Sequence, residues 1–263
     1  PAKAITNVFV LMLENHSFDN IFAMSGIPGI RAATVQDWNE YEGKKYYVQD
    51  GAPPSMSTDP GHEFDDVLTQ LSFNSSGFAW SYATSLSENT GKPDPTRIGD
   101  IMACFHTEKQ LPVIYTLARE FALCDQWFSS IPGPTWPNRF FVHGASSAGW
   151  TDSPVLRDEI GWELDGFRYA NGSIFDALRT AGHQWRLYND AGNRYSDDPS
   201  GVLFGGWISQ VASLKGISQL DVHSVDHFAS DLNRLTAAGA PAYTYPYTFI
   251  EPNFGKSFFA PQP

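Results

Sequence analysis

Two polar residues directly follow an apolar run near the start of the sequence. In "LENHSFDNIF", residues 13–22, Glu14 and Asn15 come after the apolar residues 8–13. Such a run is typical of a strand buried on both faces of a parallel sheet, and ligands bind at the carboxyl ends of these strands. A carboxylate and an amide oxygen at such an end could hold a hard divalent cation. Alternatively, the pair simply forms the turn that ends the strand.

A proline-rich segment places a hydroxyl group at the start of a predicted helix. In "SSIPGPTWPNRFFVHGASS", residues 129–147, Pro137 suits the first position of a helix, so Thr135 is expected just before its N-terminus. The free N–H groups and the helix dipole there favour an anion or a developing alkoxide. Thr135 is therefore a candidate nucleophile that a metal could activate. The alternative, which the local pattern alone favours, is a stiff turn with a helix-capping threonine.

A third segment, "TDPGHEFDDVLTQL", carries a histidine next to a predicted helix. Asp59 can cap this helix and Pro60 suits its first turn. The apolar residues along it follow the helical spacing i, i+3, i+4, i+7: Phe64, Val67, Leu68 and Leu71. His62 would lie in the first turn, where it could donate a hydrogen bond or a proton to a phosphoryl or leaving-group oxygen. The alternative is that His62 helps to cap the helix.

Helical and strand patterns alternate along the chain. The sequence predicts a short helix from Ser17 to about Gly26, a helix over 112–121 and a strand in "FALCDQWF". It also predicts a helix that starts with a capping-box pattern at Ser173 and ends at Gly182, followed by a strand. An amphipathic helix in "DVHSVDHFASDLN" and a strand in "YTYPYTFIEPN", which Pro246 breaks and which leaves the sheet at Glu251, complete the pattern. This alternation predicts an α/β sheet layered with helices, with long insertions at 26–58, 72–105 and 145–172.

Composition excludes some classes of partner. The 263 residues include 29 acidic and 17 basic residues, for a net charge of −12, and no basic cluster occurs. We therefore expect no nucleic-acid partner, because nucleic-acid binding relies on clustered Lys and Arg. No run approaches the ~20 apolar residues of a membrane span, so no integral span is expected. Cys104 and Cys124 permit one disulfide but do not require it.

These motifs resemble those of a known bacterial family. The segments "LENHSFDNIF", "TDPGHEFDDVL", "CFHTEKQLPVIYTLAREFALCDQWFSSIPGPTWPNRFFVHGASS" and "FIEPNFG" are similar to the phosphoesterases that include non-haemolytic phospholipases C and secreted acid phosphatases. The resemblance implies an alkaline-phosphatase-like α/β fold over residues 1–263, with a mostly parallel central sheet flanked by helices. It also implies a secreted or periplasmic location. The substrate would be a phosphomonoester or a phospholipid, and the sequence leaves this choice open.

The resemblance also implies roles for individual residues. Glu14 and Asn15 match the metal ligands of the family, and Thr135 matches the metal-bound nucleophile that forms a phospho-enzyme. His62 matches the histidine that approaches the phosphoryl group. One divalent metal ion is implied, and its identity as Ca, Mg, Mn or Zn stays open.

Two further residues, Asn138 and Arg139, are expected to contact the phosphate, because they directly follow Pro137 in the motif of the nucleophile. Glu251 also belongs to a family motif, but neither the pattern nor the resemblance gives it a chemical role.

The sequence departs from the family pattern after "EPNFG". In the family, an Asn-x-x-His-Pro motif and a Tyr-Asp-Glu-x-Gly-Gly segment follow, with further metal ligands and phosphate-binding histidines. This sequence ends at Pro263 without them. We therefore expect a second polypeptide segment to complete the sheet and the site. The alternative reading is a non-catalytic fragment or a binding module that keeps the fold.

Overall fold

The computed structural model describes residues 5–13, 16–54, 56, 58–85, 91–189 and 210–251. The chain divides into two compact units, and each is described by itself. The sheet unit comprises Pro1–Glu14, Arg139–Trp150 and Pro154–Pro263, and the hairpin unit comprises Asn15–Asn138 and Thr151–Ser153. The expectation of one α/β domain over residues 1–263 stays a prediction.

Within the described ranges, a parallel sheet of four strands forms the centre of the sheet unit. Its strands are β1 (Val8–Leu11), β6 (Trp185–Asn189), β7 (Val222–Ser224) and β8 (Tyr247–Glu251), in the spatial order β1-β8-β6-β7. Asn189 lies beside Glu251 in the register, so two polar residues lie together where β6 and β8 end. The mixed α/β architecture with a parallel central sheet is confirmed.

Among the residues that the structure describes, four helices belong wholly or partly to this unit: α6 (Thr135–Gly144), α7 (Leu156–Asp165), α8 (Ile174–Thr180) and α9 (Phe228–Asn233). The predicted start of α8 is confirmed, since the Ser173 hydroxyl accepts from the N–H of Asp176 and the Asp176 carboxylate accepts from the N–H of Ser173. The helix predicted over 221–233 is partly wrong. Residues 222–224 pair with β6 as β7, and the α-helix begins at Phe228.

Aromatic side chains fill much of the core of this unit. The rings of Phe140 and Phe167 stack with centroids 3.7 Å apart, and the ring of Trp162 packs edge-on against both. Phe175 and Phe249 are also buried. The segment of α6 that follows Asn138 is anchored here through Phe140.

The first strand differs from its expected placement. It was expected to be buried on both faces, but among the described residues β1 pairs with β8 alone and lies at the edge of the sheet. The side chains of Val8, Phe9 and Leu11 are 48%, 44% and 58% exposed. Its apolar pattern identified a strand correctly, but pattern alone does not give the position of a strand within a sheet.

The hairpin unit contains two small sheets. Strands β2 (Trp38–Tyr41) and β3 (Lys44–Tyr47) form an antiparallel hairpin, and β4 (Gln49–Asp50) pairs with β5 (Ala103–Cys104) in parallel. Its helices are α1 (Phe18–Phe22), α2 (Phe64–Ser75), α3 (Phe78–Thr84), α4 (Thr107–Gln110) and α5 (Pro112–Glu120). The insertions predicted over 26–58, 72–105 and 145–172 therefore contain regular elements, among them the hairpin, α3 and α7.

Two helix boundaries in this unit were expected to lie elsewhere. The N-cap of α1 at Ser17 is confirmed, but α1 ends at Phe22 rather than near Gly26. Helix α2 begins at Phe64 rather than at Asp59 or Pro60, because Glu63 and Asp66 form a capping box there. His62 therefore precedes the helix and does not lie in its first turn.

The segment after α5 also differs from its prediction. Helix α5 is confirmed, but "FALCDQWF" forms bends and turns rather than a strand, and it pairs with no strand among the described residues. Phe121, Trp127 and Phe128 are 72%, 84% and 76% exposed. Both cysteines are free: Cys104 is buried and Cys124 is exposed.

Candidate active site

Thr135 is the first residue of α6. The helix was expected to begin at Pro137, but it begins two residues earlier, so Thr135 lies inside the helix and is half-buried. Pro137 is tolerated at the third position because the first N–H groups of a helix have no acceptor within the helix. The hydroxyl is therefore carried by the helix terminus where free N–H groups can stabilise negative charge.

The side chain of Asn138 closes the loop before α6. Its Oδ1 accepts from the N–H of Ile131 at 3.1 Å. Its Nδ2 donates to the carbonyl oxygens of Ile131, Gly133 and Pro134 at 3.1, 3.0 and 3.1 Å. One amide thus holds the segment that leads into Thr135. The role of Asn138 as a phosphate contact stays a prediction, and in this geometry both of its polar atoms serve the loop.

The loop before Thr135 passes close to the start of α2. A Cβ atom added at Gly133 would lie 3.8 Å from Cδ2 of Phe64 and 3.0 Å from the carbonyl oxygen of Thr151. The Glu63 carboxylate accepts from the N–H of Ser153 at 2.8 Å, which joins the start of α2 to the segment Thr151–Ser153 that also lies beside Gly133. Gly133 is two residues from Thr135, and Phe64 is two residues from His62. The structure therefore places the segments that carry these two candidates close together.

The imidazole ring of His62 is accessible. Its side chain is 54% exposed, with Nδ1 3.1 Å from the carbonyl oxygen of Pro60 and 3.9 Å from the Asp59 carboxylate. Its Nε2 lies 4.0 Å from the Glu63 carboxylate and makes no hydrogen bond with a described residue. The Nδ1 contact orients the ring and leaves Nε2 accessible to a ligand.

Arg139 is fully buried and paired with a carboxylate. Its Nη1 lies 2.6 Å from Oε2 of Glu251, and both side chains are 0% exposed. Asn189 donates from Nδ2 to Oε1 of the same Glu251 at 3.3 Å. The role of Arg139 as a phosphate contact stays a prediction. In this structure its guanidinium binds the carboxylate of Glu251 at the end of β8. Sequence reasoning gave Glu251 no role, although an acidic residue that ends the apolar strand "YTFIE" was a usable signal.

His143 lies one turn after Arg139 on the same helix and is 1% exposed. Neither ring nitrogen has a hydrogen-bond partner among the residues that the structure describes. Burial, together with the nearby Arg139 guanidinium, lowers the pKa of His143 to about 3. The ring packs against Phe249 and Phe175 with centroids 4.8 and 5.5 Å away, so His143 is a neutral core residue near neutral pH.

The expected metal ligands Glu14 and Asn15 lie outside the described residues. Within the described part of the chain, no three His, Cys, Asp or Glu side chains are grouped as metal ligands. A carboxylate, an amide oxygen and the hydroxyl of Thr135 are all hard oxygen donors, which suits a divalent cation in chemical type. Within the same described ranges, no helix has the length and apolarity that a bilayer crossing needs.

Comparison with known proteins matches this chain to one family. The model of the phosphoesterase family matches residues 5–255. Non-specific phospholipase C1 of Arabidopsis thaliana is 32% identical over 70% of this chain and 34% of its own length. Non-hemolytic phospholipase C of Pseudomonas aeruginosa is 25% identical over 91% of this chain and 36% of its own length. The chain therefore spans about a third of the length of these relatives.

Proposed function

The chain belongs to the phosphoesterase family, and from this premise we propose that it hydrolyses phosphoric esters with Thr135 as the nucleophile. The observation that carries the proposal is the placement of Thr135 at the N-terminus of α6, directly after a loop that passes close to the segment of His62. The names of the relatives, which are phospholipases C, favour a phospholipid substrate over a phosphomonoester.

The proposed reaction has two displacements at phosphorus. The hydroxyl of Thr135 releases its proton to water as its oxygen attacks the phosphorus atom in line with the leaving oxygen, and a phospho-threonine forms as the ester bond breaks. The free N–H groups of α6 stabilise negative charge on the phosphoryl oxygens. His62 donates a proton to the leaving oxygen, and water then hydrolyses the phospho-threonine to release phosphate or a phosphate monoester.

A divalent cation, held by Glu14, Asn15 and the Thr135 hydroxyl, would supply positive charge at the phosphoryl oxygens and lower the pKa of that hydroxyl. The same proposal includes the identity of the cation, which is Ca, Mg, Mn or Zn. It also includes a secreted or periplasmic location, which cell fractionation would check.

We also propose that a second polypeptide segment completes the site. The coverage of about a third of the relatives' length supports this proposal.

The proposal is tested by hydrolysis of p-nitrophenyl phosphate by the wild-type chain and by two substitutions at one position. Thr135→Ser keeps a hydroxyl, so we expect activity within roughly tenfold of wild type. Thr135→Val removes the nucleophile, and we expect a loss of about 10³-fold or more. Thr116→Val, on the exposed helix α5, is the matched control with expected wild-type activity. A chelator should abolish turnover, and the intermediate should appear as a phosphate on Thr135 in peptide mass spectrometry.

Full activity of Thr135→Val would overturn the nucleophile assignment. If the chain alone is inactive, the wild-type chain and the same variants are measured again in the presence of the proposed second polypeptide segment. Turnover restored there places the missing groups in that segment. An absence of turnover in both would argue against a phosphomonoesterase. If phosphatidylcholine were not hydrolysed either, a non-catalytic fragment or binding module would be favoured.

A further inference from the structure

Four polar side chains form a connected cluster on one face of the parallel sheet. Arg186 and Tyr188 belong to β6, His223 to β7 and Asp231 to α9. All four lie in the sheet unit, and the proposed hydrolysis uses none of them. The side chains of Arg186 and Asp231 are mostly buried, at 18% and 17% exposed. We call this group the Arg186 cluster, because the guanidinium of Arg186 contacts the other three side chains.

The guanidinium of Arg186 connects β6 to both β7 and α9. Its Nη1 donates to Nε2 of His223 at 2.6 Å, and its Nη2 donates to the carboxylate of Asp231 at 2.8 Å. Its Nε donates to the hydroxyl oxygen of Tyr188 at 3.4 Å, and that hydroxyl donates to Asp231 at 2.7 Å. One side chain of β6 therefore attaches both the edge strand β7 of the described sheet and the helix that follows it.

The contact with Arg186 requires a neutral imidazole at His223. A guanidinium has five N–H donors and no acceptor, so Nε2 of His223 accepts and carries no proton. The proton of the neutral ring then lies on Nδ1. A second proton would remove this hydrogen bond and place two cations in contact. Burial, together with the guanidinium, lowers the pKa of His223 below its ordinary value of 6.5.

The other titratable groups around His223 come from the adjoining segments. Asp231 on α9 and Asp221 just before β7 favour a protonated ring, whereas His227 disfavours it when it is itself protonated. The ring of Tyr188 on β6 lies beside it, with centroids 6.3 Å apart, and burial keeps that phenol neutral by raising its pKa. The pKa of His223 is lowered with both carboxylates present, so they do not offset burial and the guanidinium.

We propose that protonation of His223 breaks its hydrogen bond with Arg186 and thereby loosens β7 and α9 from β6 in acid. Strand β7 is sensitive to this loss, because it spans three residues and pairs with β6 alone among the described residues. The stability that this contact contributes is fully present above pH 6.5. It is lost as the pH falls from 6.5 towards the lower pKa of the folded chain. The inference does not depend on the proposed hydrolysis.

Nuclear magnetic resonance of the labelled imidazole nitrogens tests the protonation state directly. In the wild-type chain near neutral pH, His223 should carry its proton on Nδ1, and its pKa should lie below 6.5. Arg186→Met removes the guanidinium, so the pKa of His223 should rise and the preference for a proton on Nδ1 should weaken. A proton on Nε2 in the wild-type chain, or a pKa of 6.5 or above, would overturn the proposal without any substitution.

Hydrogen exchange measures the loosening. From neutral pH to pH 5, after correction for the intrinsic exchange rate, the protection of residues 222–233 should fall by about threefold or more. The protection of residues 247–251, in the inner strand β8, should fall less, because those amides are exposed mainly by global unfolding. An equal fall in both segments would indicate global unfolding and would overturn the proposal.

Substitutions at position 223 separate the proton from the hydrogen bond. His223→Gln provides an oxygen that can accept from Arg186 and does not titrate, so the fall in protection should disappear. The shorter side chain of His223→Asn removes the acceptor from this place, so protection of 222–233 should be low at both pH values. His183→Gln, at an exposed histidine, should respond to pH as wild type does. Thr135→Val should do the same, which separates this inference from the proposed hydrolysis. A fall in protection that persists in His223→Gln would overturn the proposal.

Discussion

At the scale of single residues, the imidazole of His143 is buried and neutral. Its pKa of about 3 lies below the ordinary value of 6.5, so the unfolded chain binds a proton in this range that the folded chain does not. The contribution of the neutral imidazole to the free energy of unfolding is fully present above pH 6.5. As the pH falls from 6.5 to 3, the free energy of unfolding decreases by about 1.4 kcal/mol for each pH unit.

His143→Phe should remove this pH dependence, because a phenyl ring fits beside Phe249 and Phe175 without a group that binds a proton. We expect the free energy of unfolding of the variant to exceed that of wild type by a margin that grows as pH falls from 6.5 to 4. Urea unfolding at several pH values measures this margin. His183→Phe, the same change at an exposed histidine, is the control. Parallel pH curves for wild type and His143→Phe would contradict the assignment.

The buried pair of Arg139 and Glu251 gives a second prediction at this scale. Glu251→Gln keeps the shape but removes the buried carboxylate charge that lies 2.6 Å from the guanidinium, and we expect a loss of about 3–5 kcal/mol of unfolding free energy. The double variant Arg139→Met, Glu251→Met should recover most of that loss, because it removes both buried charges. Chemical denaturation measures both variants.

The control for that prediction is Asp100→Asn, which breaks a partly exposed ion pair with Arg97 and should have a much smaller effect. A Glu251→Gln variant as stable as wild type would show that the guanidinium finds another partner.

At the scale of elements, the loop and the first turn of α6 form one structure around Asn138. Asn138→Asp replaces the donating NH₂ group with a carboxylate oxygen that would face three carbonyl oxygens at 3.0–3.1 Å. We expect a loss of about 1–3 kcal/mol of stability, because donors are replaced by an acceptor in a half-buried site. Thermal unfolding measures the loss. The same change at the exposed Asn233, which donates to the single carbonyl oxygen of Ala229, should cost less.

This prediction extends to catalysis, because the loop carries Thr135. Hydrolysis of p-nitrophenyl phosphate should fall in Asn138→Asp at a temperature where the protein is still folded. Unchanged activity and stability would mean that the loop is held by its prolines alone.

At the scale of the whole molecule, the net charge of −12 opposes approach to an anionic surface. Raising the ionic strength from about 0.01 M to about 0.15 M shortens the Debye length from about 30 Å to about 8 Å. We therefore expect salt to increase association with phosphatidylglycerol vesicles and to have little effect with phosphatidylcholine vesicles. Co-sedimentation measures both. Salt that weakens binding to the anionic vesicles would contradict this expectation and would indicate a local basic surface.

The sequence by itself determined the family and most of the elements. The apolar run before Glu14, the capping pattern at Ser173 and the strand after Pro246 depend on local preferences of the backbone, which neighbours in sequence set. The segments that carry His62 and Thr135 were identified for the same reason, since their prolines and glycines act locally.

Tertiary structure alone decided where these elements lie and what their side chains contact. The pairing of Arg139 with Glu251 joins residues 112 positions apart, and no local pattern encodes such a contact. The edge position of β1 and the bends in "FALCDQWF" depend on which strands are present to pair with them, because a strand gains its hydrogen bonds from neighbours distant in sequence. The cleft of about 1340 Å³ in the hairpin unit likewise exists only because α1, β2, α2 and α3, from separate stretches of the chain, meet around it.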